Sequence, residues 1–354
     1  MSSLAGKTVL VTGGTGSLGK VLVRRLLSGT HGLPRKVVVF SRDEAKQHFM
    51  RVEYQQKKAV TDEIIYSNFE QVLEFRIGDI RDYASVRSVL RGMDVVISAA
   101  ALKQVPSCEY FPFEAVQTNV LGAENIVRAL REHDCGVRTV VGVSTDKAAK
   151  PVNVMGMTKS LQERIFIAGN IYAPQCRFVC VRYGNVLASR GSVIPLFHEQ
   201  IRGGGPVTIT TPDMTRFLLS LEDAVDTVIT AIEAAQPGET IIPRAPSASI
   251  VNVARVLIGD RNIATVETGI RPGEKIHEIL VSDEEAWRTY ERGAYYAIRP
   301  MLPELVKERP TAPALAKEYS SADDVLSLDD TRALLARHDL LVGRELQMEG
   351  ELLR

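Results

Sequence analysis

The sequence predicts a doubly wound α/β fold, in which helices cover both faces of a parallel sheet and a smaller C-terminal lobe follows in the chain. Short runs rich in Val and Ile alternate with helical patterns through the first half, as buried parallel strands require. Three glycines at regular spacing follow the first run. After Asn185 the alternation gives way to Gly- and Pro-rich stretches, which are typical of a separate, loop-rich lobe.

The elements follow from these patterns in chain order. Strands are predicted over residues 8–12, 36–41, 74–77, 95–99, 139–144 and 178–183, and the first helix over residues 20–27. We assign residues 1–185 to the sheet domain and residues 186–354 to the lobe and a C-terminal tail, with residues 224–234 crossing back to the first domain. The tail is charged, and Ser327 followed three residues later by Asp330 predicts a helix start there.

Composition and charge exclude several classes of partner. The 43 Lys and Arg residues balance the 43 Asp and Glu residues, and 45% of the chain is hydrophobic, so no overall field favours nucleic acid or an anionic membrane. We expect small-molecule partners, with no nucleic acid and no membrane. No apolar run approaches the ~20 residues that span a bilayer, and no basic-then-apolar leader precedes the first strand. Four cysteines without metal-ligand spacing predict free thiols, no metal site and a cytoplasmic protein.

The turn after the first strand carries the pattern of a dinucleotide-binding site. Gly13, Gly16 and Gly19 stand between a strand and a helix, where the backbone approaches a pyrophosphate and the helix N-terminus offers unpaired N–H groups. The alternative is a tight turn without a ligand, which the flanking strand and helix disfavour. The contacting residues predicted in this turn are Gly13, Thr15, Gly16, Ser17, Leu18 and Gly19.

The end of the second strand predicts which dinucleotide binds. It reads Ser41-Arg42, where an enzyme that uses NAD usually places Asp or Glu to accept from the ribose 2′-OH. Arg42, with Lys46 one turn further on, favours a 2′-phosphate, because a guanidinium binds phosphate in a bidentate fork. We predict tightly bound NADP. The alternative is that Arg42 is a solvated charge at the strand end.

Two further stretches predict contacts to the same cofactor. Asp79 and Ile80 follow the third strand, where the Asp79 carboxylate is placed to accept a hydrogen bond from the adenine amino group. A helix N-cap is the alternative role of Asp79. Ala99, Ala100 and Ala101 follow the fourth strand and let the chain pass close to the cofactor.

The catalytic candidates follow the fifth strand. Thr145, Asp146 and Lys147 come directly after it, and Met155 is followed four residues later by Lys159. These positions resemble those of short-chain dehydrogenases, which hold a Ser or Thr that bonds the reacting oxygen, and a Tyr followed by Lys one helical turn later. Met155 stands in place of that Tyr, and a thioether cannot act as a general base.

Two interpretations compete for these residues. Either the fold survives as a binding or sensing protein without catalysis, or proton transfer has moved to other groups. We favour catalysis, because a decayed site has no reason to keep Lys159 or a neighbouring acid and base. Asp146 and Lys147 side by side suit a β-elimination: once C4 is a ketone, a base removes the C5 proton and an acid helps the C6 hydroxyl leave. The alternative is an inert, solvated loop pair.

With these residues the sequence resembles the bacterial UDP-N-acetylglucosamine 4,6-dehydratases, which are extended short-chain dehydrogenases, and within them the inverting subgroup with 5-epimerase activity. An Asp-Lys pair in place of Asp-Glu is a mark of this family, and Met at the Tyr position also occurs in its capsular branch. The matching stretches are residues 12–20, 41–44, 100–106, 118–119, 144–147, 151–153, 182–186, 189–195, 214–217 and 269–275.

The resemblance implies a catalytic cycle and a role for each candidate. NADP+ takes hydride from C4, water leaves across C5 and C6, and hydride returns to C6, so the cofactor is recycled. Lys147 is then the base at C5 and Asp146 the acid at the C6 hydroxyl, while Thr145 bonds O4 and Lys159 orients the nicotinamide ribose. We hypothesise that Lys147, or a water held by Lys159, receives the O4 proton. Lys103 either contacts the sugar or is a loop charge.

The same resemblance implies a UDP site in the second lobe. Asn185 and Arg216 hold the diphosphate, Arg271 holds phosphate and Glu274 holds the uridine ribose, since Arg suits phosphate and a carboxylate suits ribose hydroxyls. The residues expected beside the uracil are Ser192, Val193, Thr208 and Thr210.

Alternative functions share much of this site. A retaining 4,6-dehydratase differs only in the C5 stereochemistry of its product, and a non-catalytic NADP-binding regulator differs in having no turnover. A UDP-sugar 4-epimerase shares the fold, cofactor and UDP site but usually keeps the Tyr that Met155 replaces. The family assembles through paired helices, for which residues 114–132 and 153–171 are the candidates, and we expect a homo-oligomer, either a dimer or a hexamer.

Overall fold

The computed structural model describes residues 3–60, 63–187, 192–306 and 312–343. Part of one stretch that carries the family resemblance, residues 189–191, lies outside the described residues, as does the end of the charged tail from residue 344.

Strands and helices alternate through the described chain. The strands are β1 (Thr8–Thr12), β2 (Lys36–Ser41), β3 (Leu73–Ile77), β4 (Val95–Ser98), β5 (Thr139–Val143), β6 (Arg177–Val181), β7 (Asn185–Val186), β8 (Val207–Ile209), β9 (Thr215–Leu219), β10 (Thr240–Pro243), β11 (Ser247–Ser249), β12 (Thr265–Glu267), β13 (Ile279–Val281), β14 (Thr289–Arg292), β15 (Tyr295–Ile298) and β16 (Tyr319–Ser320). The α-helices are α1 (Ser17–Leu27), α2 (Glu44–Val60), α3 (Ile64–Val72), α4 (Tyr83–Leu90), α5 (Val105–Tyr110), α6 (Pro112–Ala115), α7 (Gly122–Glu132), α8 (Val154–Tyr172), α9 (Val193–Arg202), α10 (Leu221–Ala234), α11 (Ile250–Ile258), α12 (Asp283–Ala286) and α13 (Leu328–Arg337). A π-helix, Val116–Leu121, joins α6 to α7.

The main sheet has nine strands among the described residues, in the order β14-β15-β10-β6-β5-β4-β1-β2-β3. From β3 to β10 each neighbouring pair is parallel, and the hairpin of β14 and β15 extends the sheet antiparallel to β10. This confirms the predicted doubly wound fold. The bounds predicted for the first two strands agree with the structure, and the other four differ by one or two residues at their ends.

Two apolar layers cover the sheet because alternate strand residues point to opposite faces. Val9 and Val11 of β1 pack with α1 and α10 on one face, whereas Leu10 between them packs with α4, α7 and α8 on the other. Such two-sided burial explains why the strand sequences are nearly continuous in Val and Ile.

The later part of the chain contributes to both the sheet and a smaller lobe. Helix α10, which contains residues 224–234, lies against α1, where Arg24 pairs with Glu222 at 2.8 Å, and β10, β14 and β15 belong to the main sheet. Helices α9, α11 and α13 enclose a separate apolar cluster. Residues after 185 thus contribute to the main sheet as well as to the lobe. The division of the chain into two domains at residue 185 remains a proposal. The Ser327 hydroxyl accepts from Asp330 N at 3.1 Å and begins α13, as predicted.

The strand order reverses between β1 and β4. In an open α/β sheet the crevice outside the carboxyl ends of the strands at such a point is where ligands bind. Among the described residues, no helix is both long enough and apolar enough to cross a lipid bilayer.

Candidate active site

A cavity of about 770 Å³ opens at the carboxyl ends of the parallel strands. Residues within two positions of the end of each of β1 to β6 line it. Its lining includes every residue that the sequence predicts to contact the cofactor: Gly13, Thr15, Gly16, Ser17, Leu18, Gly19, Ser41, Arg42, Lys46, Asp79, Ile80, Ala99, Ala100, Ala101 and Lys159.

Close packing explains two glycines of the turn after β1. Gly13 has a φ of +67°, and a Cβ on it would lie 2.8 Å from the Ala100 backbone. A Cβ on Gly19 would lie 2.5 Å from Gly14. The Thr12 hydroxyl accepts from the backbone N–H groups of Ala99 and Ala100 at 3.2 Å, which brings the ends of β1 and β4 together.

The middle glycine has a different environment. Gly16 is the N-cap residue of α1, where no side chain makes a capping hydrogen bond and no acidic residue lies in the first turn. The start of α1 therefore presents backbone N–H groups and a partial positive charge to the cavity. A pyrophosphate fits this arrangement.

Charged side chains surround the part of the cavity beyond β2 and β3. The Arg42 side chain is 58% exposed and its Nη1 lies 3.9 Å from Asp79 Oδ2. Arg81, which the sequence did not single out, donates to Asp79 at 2.7 Å. Burial acts to raise the pKa of Asp79, but the hydrogen bonds from Arg81 hold it below its ordinary value. The alternative N-cap role for Asp79 is wrong, because Asp82 caps α4.

The predicted catalytic pair lies directly after β5. Lys147 Nζ is 3.1 Å from Asp146 Oδ1, and the Thr145 hydroxyl donates to the same oxygen at 2.8 Å. Thr145 and Lys147 line the cavity, whereas Asp146 is fully buried beneath them. Asp146 Oδ2 has no hydrogen-bond partner among the described residues. Asp146 can therefore exchange a proton with the cavity through Thr145 or Lys147 rather than by direct contact.

A second carboxylate reaches Lys147 from the other lobe. Glu278 Oε1 lies 3.0 Å from Lys147 Nζ and 3.8 Å from Arg216 Nε. The sequence alone did not indicate Glu278. It stands just beyond the matched stretch that ends at Lys275, but no local pattern pairs it with Lys147.

Burial and charge set the protonation of this cluster. Burial raises the pKa of Asp146 and outweighs the opposing effect of the Lys147 ammonium, while the Glu278 charge adds to the rise. Burial acts to lower the pKa of Lys147, but the two carboxylates raise it above its ordinary value. Burial acts to raise the pKa of Glu278, yet Lys147 and Arg216 hold it low. Glu278 is therefore the carboxylate that stays ionised, and Asp146 is the one that accepts a proton more readily.

Helix α8 brings Met155 and Lys159 to the same cavity. Lys159 Nζ donates to the Val143 carbonyl at 2.7 Å and to Gln162 Oε1 at 2.9 Å. Burial lowers the pKa of Lys159 to about 8. Met155 is buried against Cys108, which is a free thiol, like the other cysteines. The cavity wall is thus apolar at the position where the related enzymes hold a general base.

Helix α8 is also tied to the loop at residues 271–275. Asn153 caps α8 through Gly156 N at 2.8 Å and donates to the Gly273 carbonyl at 2.7 Å. Lys275 Nζ donates to the Ala149 carbonyl at 2.6 Å. A Cβ on Gly156 would lie 2.2 Å from the Lys147 carbonyl oxygen. The start of α8 therefore packs directly on the backbone that carries Lys147.

The structure brings only some of the predicted substrate residues to the cavity. Those that line it are Lys103, Asn185, Ser192, Arg271 and Glu274. The hydroxyl of Ser192 and Oε2 of Glu274 are buried without hydrogen-bond partners among the described residues, so both can receive a polar ligand.

The other four predicted substrate residues are outside the described lining. The Thr208 hydroxyl accepts a hydrogen bond from the Gln200 side chain at 2.7 Å, and the Thr210 carbonyl accepts one from Gly269 N at 3.0 Å. Val193 packs against the apolar cluster that α9, α11 and α13 enclose. Arg216 is buried and donates to the carbonyls of Thr215 and Ile276. Their contacts to substrate remain predictions.

Comparisons with known proteins identify the family of this chain. The chain matches the family described as "Polysaccharide biosynthesis protein" over residues 9–300. It is 42% identical over 346 residues to a Rickettsia typhi protein named UDP-glucose 4-epimerase, an alignment that covers 94% of this chain and 96% of the relative.

Two solved structures show a similar fold. The X-ray structure of Pen from Bacillus thuringiensis is 34% identical, with a TM-score of 0.82 over 94% of this chain and 99% of Pen. The dTDP-glucose 4,6-dehydratase DesIV from Streptomyces venezuelae, solved with NAD bound, is 20% identical, with a TM-score of 0.62 over 76% of this chain and 86% of DesIV. At that identity DesIV supports the fold alone.

Proposed function

The chain belongs to the polysaccharide biosynthesis protein family, and from that premise we propose that it removes water across C5 and C6 of UDP-N-acetylglucosamine, with inversion at C5. It is an enzyme of the nucleotide-sugar-modifying short-chain dehydrogenase group. The proposed product is a UDP-2-acetamido-2,6-dideoxy-4-hexulose for surface polysaccharide or glycan biosynthesis.

The observation that carries this proposal is the contact between Lys147 and the buried Asp146 at the cavity wall. A C4 ketone acidifies the C5 proton, which Lys147 Nζ is placed to remove. The departing C6 hydroxyl then takes a proton from the Thr145 hydroxyl. Asp146 gives its own proton to Thr145 in turn. Epimerisation at C4 moves protons at O4 alone, so it gives a second group at C5 and C6 no role.

We propose NADP as the cofactor. When bound, it supplies the hydride acceptance at C4 and the hydride return to C6. The turn after β1 and the start of α1 hold its pyrophosphate, and Lys159 orients its nicotinamide ribose. Arg42 and Lys46 both line the cavity beside the end of β2. Asp43, which also lines it, lies 3.7 Å from Lys46 Nζ. A 2′-phosphate matches these two cations.

The UDP moiety is placed across the mouth of the cavity. Asn185 and Arg271 are its proposed phosphate contacts, and Glu274, with its unpartnered oxygen, is the proposed contact to the uridine ribose. Ser192 is the N-cap residue of α9 and lines the cavity, so the partial positive charge at the start of that helix favours an anionic ligand nearby.

We also propose that the enzyme assembles through α7 and α8. Large apolar side chains are exposed at the start of α7 and along α8: Leu121, Met157, Leu161 and Tyr172. Light scattering of the purified protein tests this, and a monomer at micromolar concentration would contradict it.

A UDP-sugar 4-epimerase is the second candidate, because the Rickettsia typhi relative carries that name. Both enzymes oxidise C4 and need a base at O4, which Met155 does not supply in either case. The two candidates give different products: the epimerase inverts C4 and keeps the C6 hydroxyl, whereas the dehydratase forms a C6 methyl group.

Proton NMR in heavy water distinguishes these functions. The protein is incubated with NADP+ and UDP-N-acetylglucosamine. A C6 methyl signal with deuterium at C5 is the expected result, and the ring couplings report inversion or retention. A galacto-configured sugar that retains its C6 hydroxyl would establish the epimerase instead. An unchanged spectrum with cofactor bound would overturn dehydration of this substrate.

A further inference from the structure

Lys147 is surrounded by three oxygen atoms rather than by one partner. Its Nζ lies 3.1 Å from Asp146, 3.3 Å from Asn185 Oδ1 and 3.0 Å from Glu278. An ammonium group has three N–H donors, so these oxygens accept all of them. Of the three, Glu278 has no part in the mechanism described so far.

Glu278 is fixed from outside the catalytic segment. Its N–H donates to the Ser321 hydroxyl at 2.9 Å, and its carbonyl accepts from Ser321 N at 2.8 Å. Its side chain is 3% exposed, and Oε2 has no hydrogen-bond partner among the described residues. A buried carboxylate that is only partly satisfied is unfavourable for folding, which points to a functional reason for its presence.

We propose that Glu278 is a positioning residue, which holds Lys147 beside Asp146 and keeps one proton on the Asp146–Lys147 pair. The inference rests on the proposed dehydration. That reaction needs an acid and a base at once, so the pair must hold a single proton. With no proton there is no acid for the C6 hydroxyl, and with two protons there is no base for C5.

A single proton suffices for the whole reaction. At rest the proton is on Lys147. It moves to Asp146 Oδ1, 3.1 Å away, before elimination, which leaves the Lys147 amine neutral. Lys147 Nζ takes the C5 proton, the C5–C6 double bond forms, and the C6–O bond breaks. The hydroxyl leaves as water with a proton from Thr145, and Asp146 passes its proton to Thr145. Lys147 later returns its proton to C5, and the proton released from O4 replaces the one lost in water.

The charges around the pair favour retention of this proton. The Glu278 carboxylate raises the pKa of both Asp146 and Lys147. Arg216 opposes it, because its cation lowers the pKa of Lys147. Lys275 is a further cation that acts on Glu278. Without Glu278, Asp146 is left as the carboxylate that opposes the effect of burial on Lys147, and burial lowers the pKa of a buried amine, as it does at Lys159.

The test measures the charge state of Lys147 without relying on turnover. Trace labelling with acetic anhydride across a range of pH, read by mass spectrometry, reports the pH at which each lysine amine loses its proton. In E278Q we expect the Lys147 midpoint to move to lower pH, and in R216Q to higher pH. E278D keeps the charge and should stay close to wild type. D283N, which removes a surface carboxylate paired with Lys150, is the matched control.

Lys159 serves as the internal control for folding, because its contacts are to Val143 and Gln162. The proposal is overturned if the Lys147 midpoint is unchanged in both E278Q and R216Q while the Lys159 midpoint is preserved. This result can be read whether or not the protein dehydrates UDP-N-acetylglucosamine.

Turnover provides a second, separate readout. In E278Q both the acidic and the alkaline limb of the pH–rate profile should move to lower pH, with a loss of about tenfold at the alkaline end of the wild-type plateau. A residue with only a structural role would lower the rate without moving either limb. A lowered but unshifted profile would therefore also overturn the proposal.

Discussion

Lys147 Nζ lies 3.1 Å from Asp146 Oδ1, yet the Lys147 side chain is 22% exposed and the Asp146 side chain is fully buried. Two consecutive residues thus present one group to the cavity and hold the other beneath its wall. Because Asp146 is bonded to both Thr145 and Lys147, the three side chains form a short path for protons.

The base assignment predicts the effect of Lys147→Gln. The variant removes the amine, so C5 exchange and dehydration should fall about 10³-fold, while the Kd for UDP stays within a few-fold. NMR in heavy water and calorimetry with UDP measure the two quantities. Lys150→Gln, which alters a surface lysine paired with Asp283, is the control. Wild-type turnover in Lys147→Gln would remove the assignment.

The proton path predicts a difference between two substitutions at Thr145. Thr145→Ser keeps the hydroxyl that donates to Asp146, whereas Thr145→Val keeps the shape without the hydroxyl. We expect the first to retain activity within a few-fold and the second to lose about 10²-fold in kcat. Initial rates of formation of the C6 methyl product decide between them. Equal rates for the two variants would exclude the hydroxyl from proton transfer.

Cofactor preference is tested at Arg42. If its guanidinium binds the 2′-phosphate, Arg42→Ala should weaken NADP binding about 10- to 100-fold, since hydrogen bonds to charged groups contribute about 1.5–3 kcal/mol. NAD binding should change little. Fluorescence titration with the two reduced cofactors gives the ratio of Kd values. Arg76→Ala, which removes a surface Arg paired with Glu74, controls for charge, and an unchanged ratio in Arg42→Ala would argue for NAD.

The buried Lys159 predicts a pH-dependent effect on stability. Its folded-state pKa is about 8, whereas its ordinary value is 10.5, so between these values the unfolded chain binds more protons and the contribution of Lys159 to stability rises with pH. The free energy of unfolding of Lys159→Met, relative to that of wild type, should therefore be highest near pH 7 and lower by about 2 kcal/mol at pH 10.

Urea denaturation of wild type and Lys159→Met at both pH values measures this difference. Lys58→Met, a surface lysine paired with Glu70, should show no such dependence. Parallel stability curves for Lys159→Met and wild type would show that the burial of Lys159 does not depress its pKa.

Packing beneath the catalytic segment is tested at Gly156. A Cβ at this position would lie 2.2 Å from the Lys147 carbonyl oxygen, so Gly156→Ala should shift Lys147, lower turnover at least tenfold and destabilise the fold by about 2 kcal/mol. Gly203→Ala is the matched control, because its Cβ would meet its nearest neighbour at 3.4 Å. Thermal melts and initial rates measure both effects, and equal behaviour of the two variants would contradict the close contact.

The sequence by itself determined the sheet, the glycine turn and the residues at the strand ends. The alternation of Val- and Ile-rich runs with helical patterns reports burial over a few neighbouring residues, so β1 to β6 could be predicted to within one or two residues. Because the carboxyl ends of parallel strands meet at one edge of a sheet, Gly13, Arg42, Asp79, Ala99 and Lys147 could be assigned to a single site.

Only the tertiary structure decided which groups those residues meet. Glu278 and Gly273 come from a distant loop that folds back onto the end of β5 and the start of α8, and no local spacing encodes such a contact. The tertiary structure also buries Asp146 while it leaves Lys147 partly exposed, and it places Arg216 beside Glu278. Periodicity depends on neighbours in sequence, whereas the charge on a buried group depends on neighbours in space.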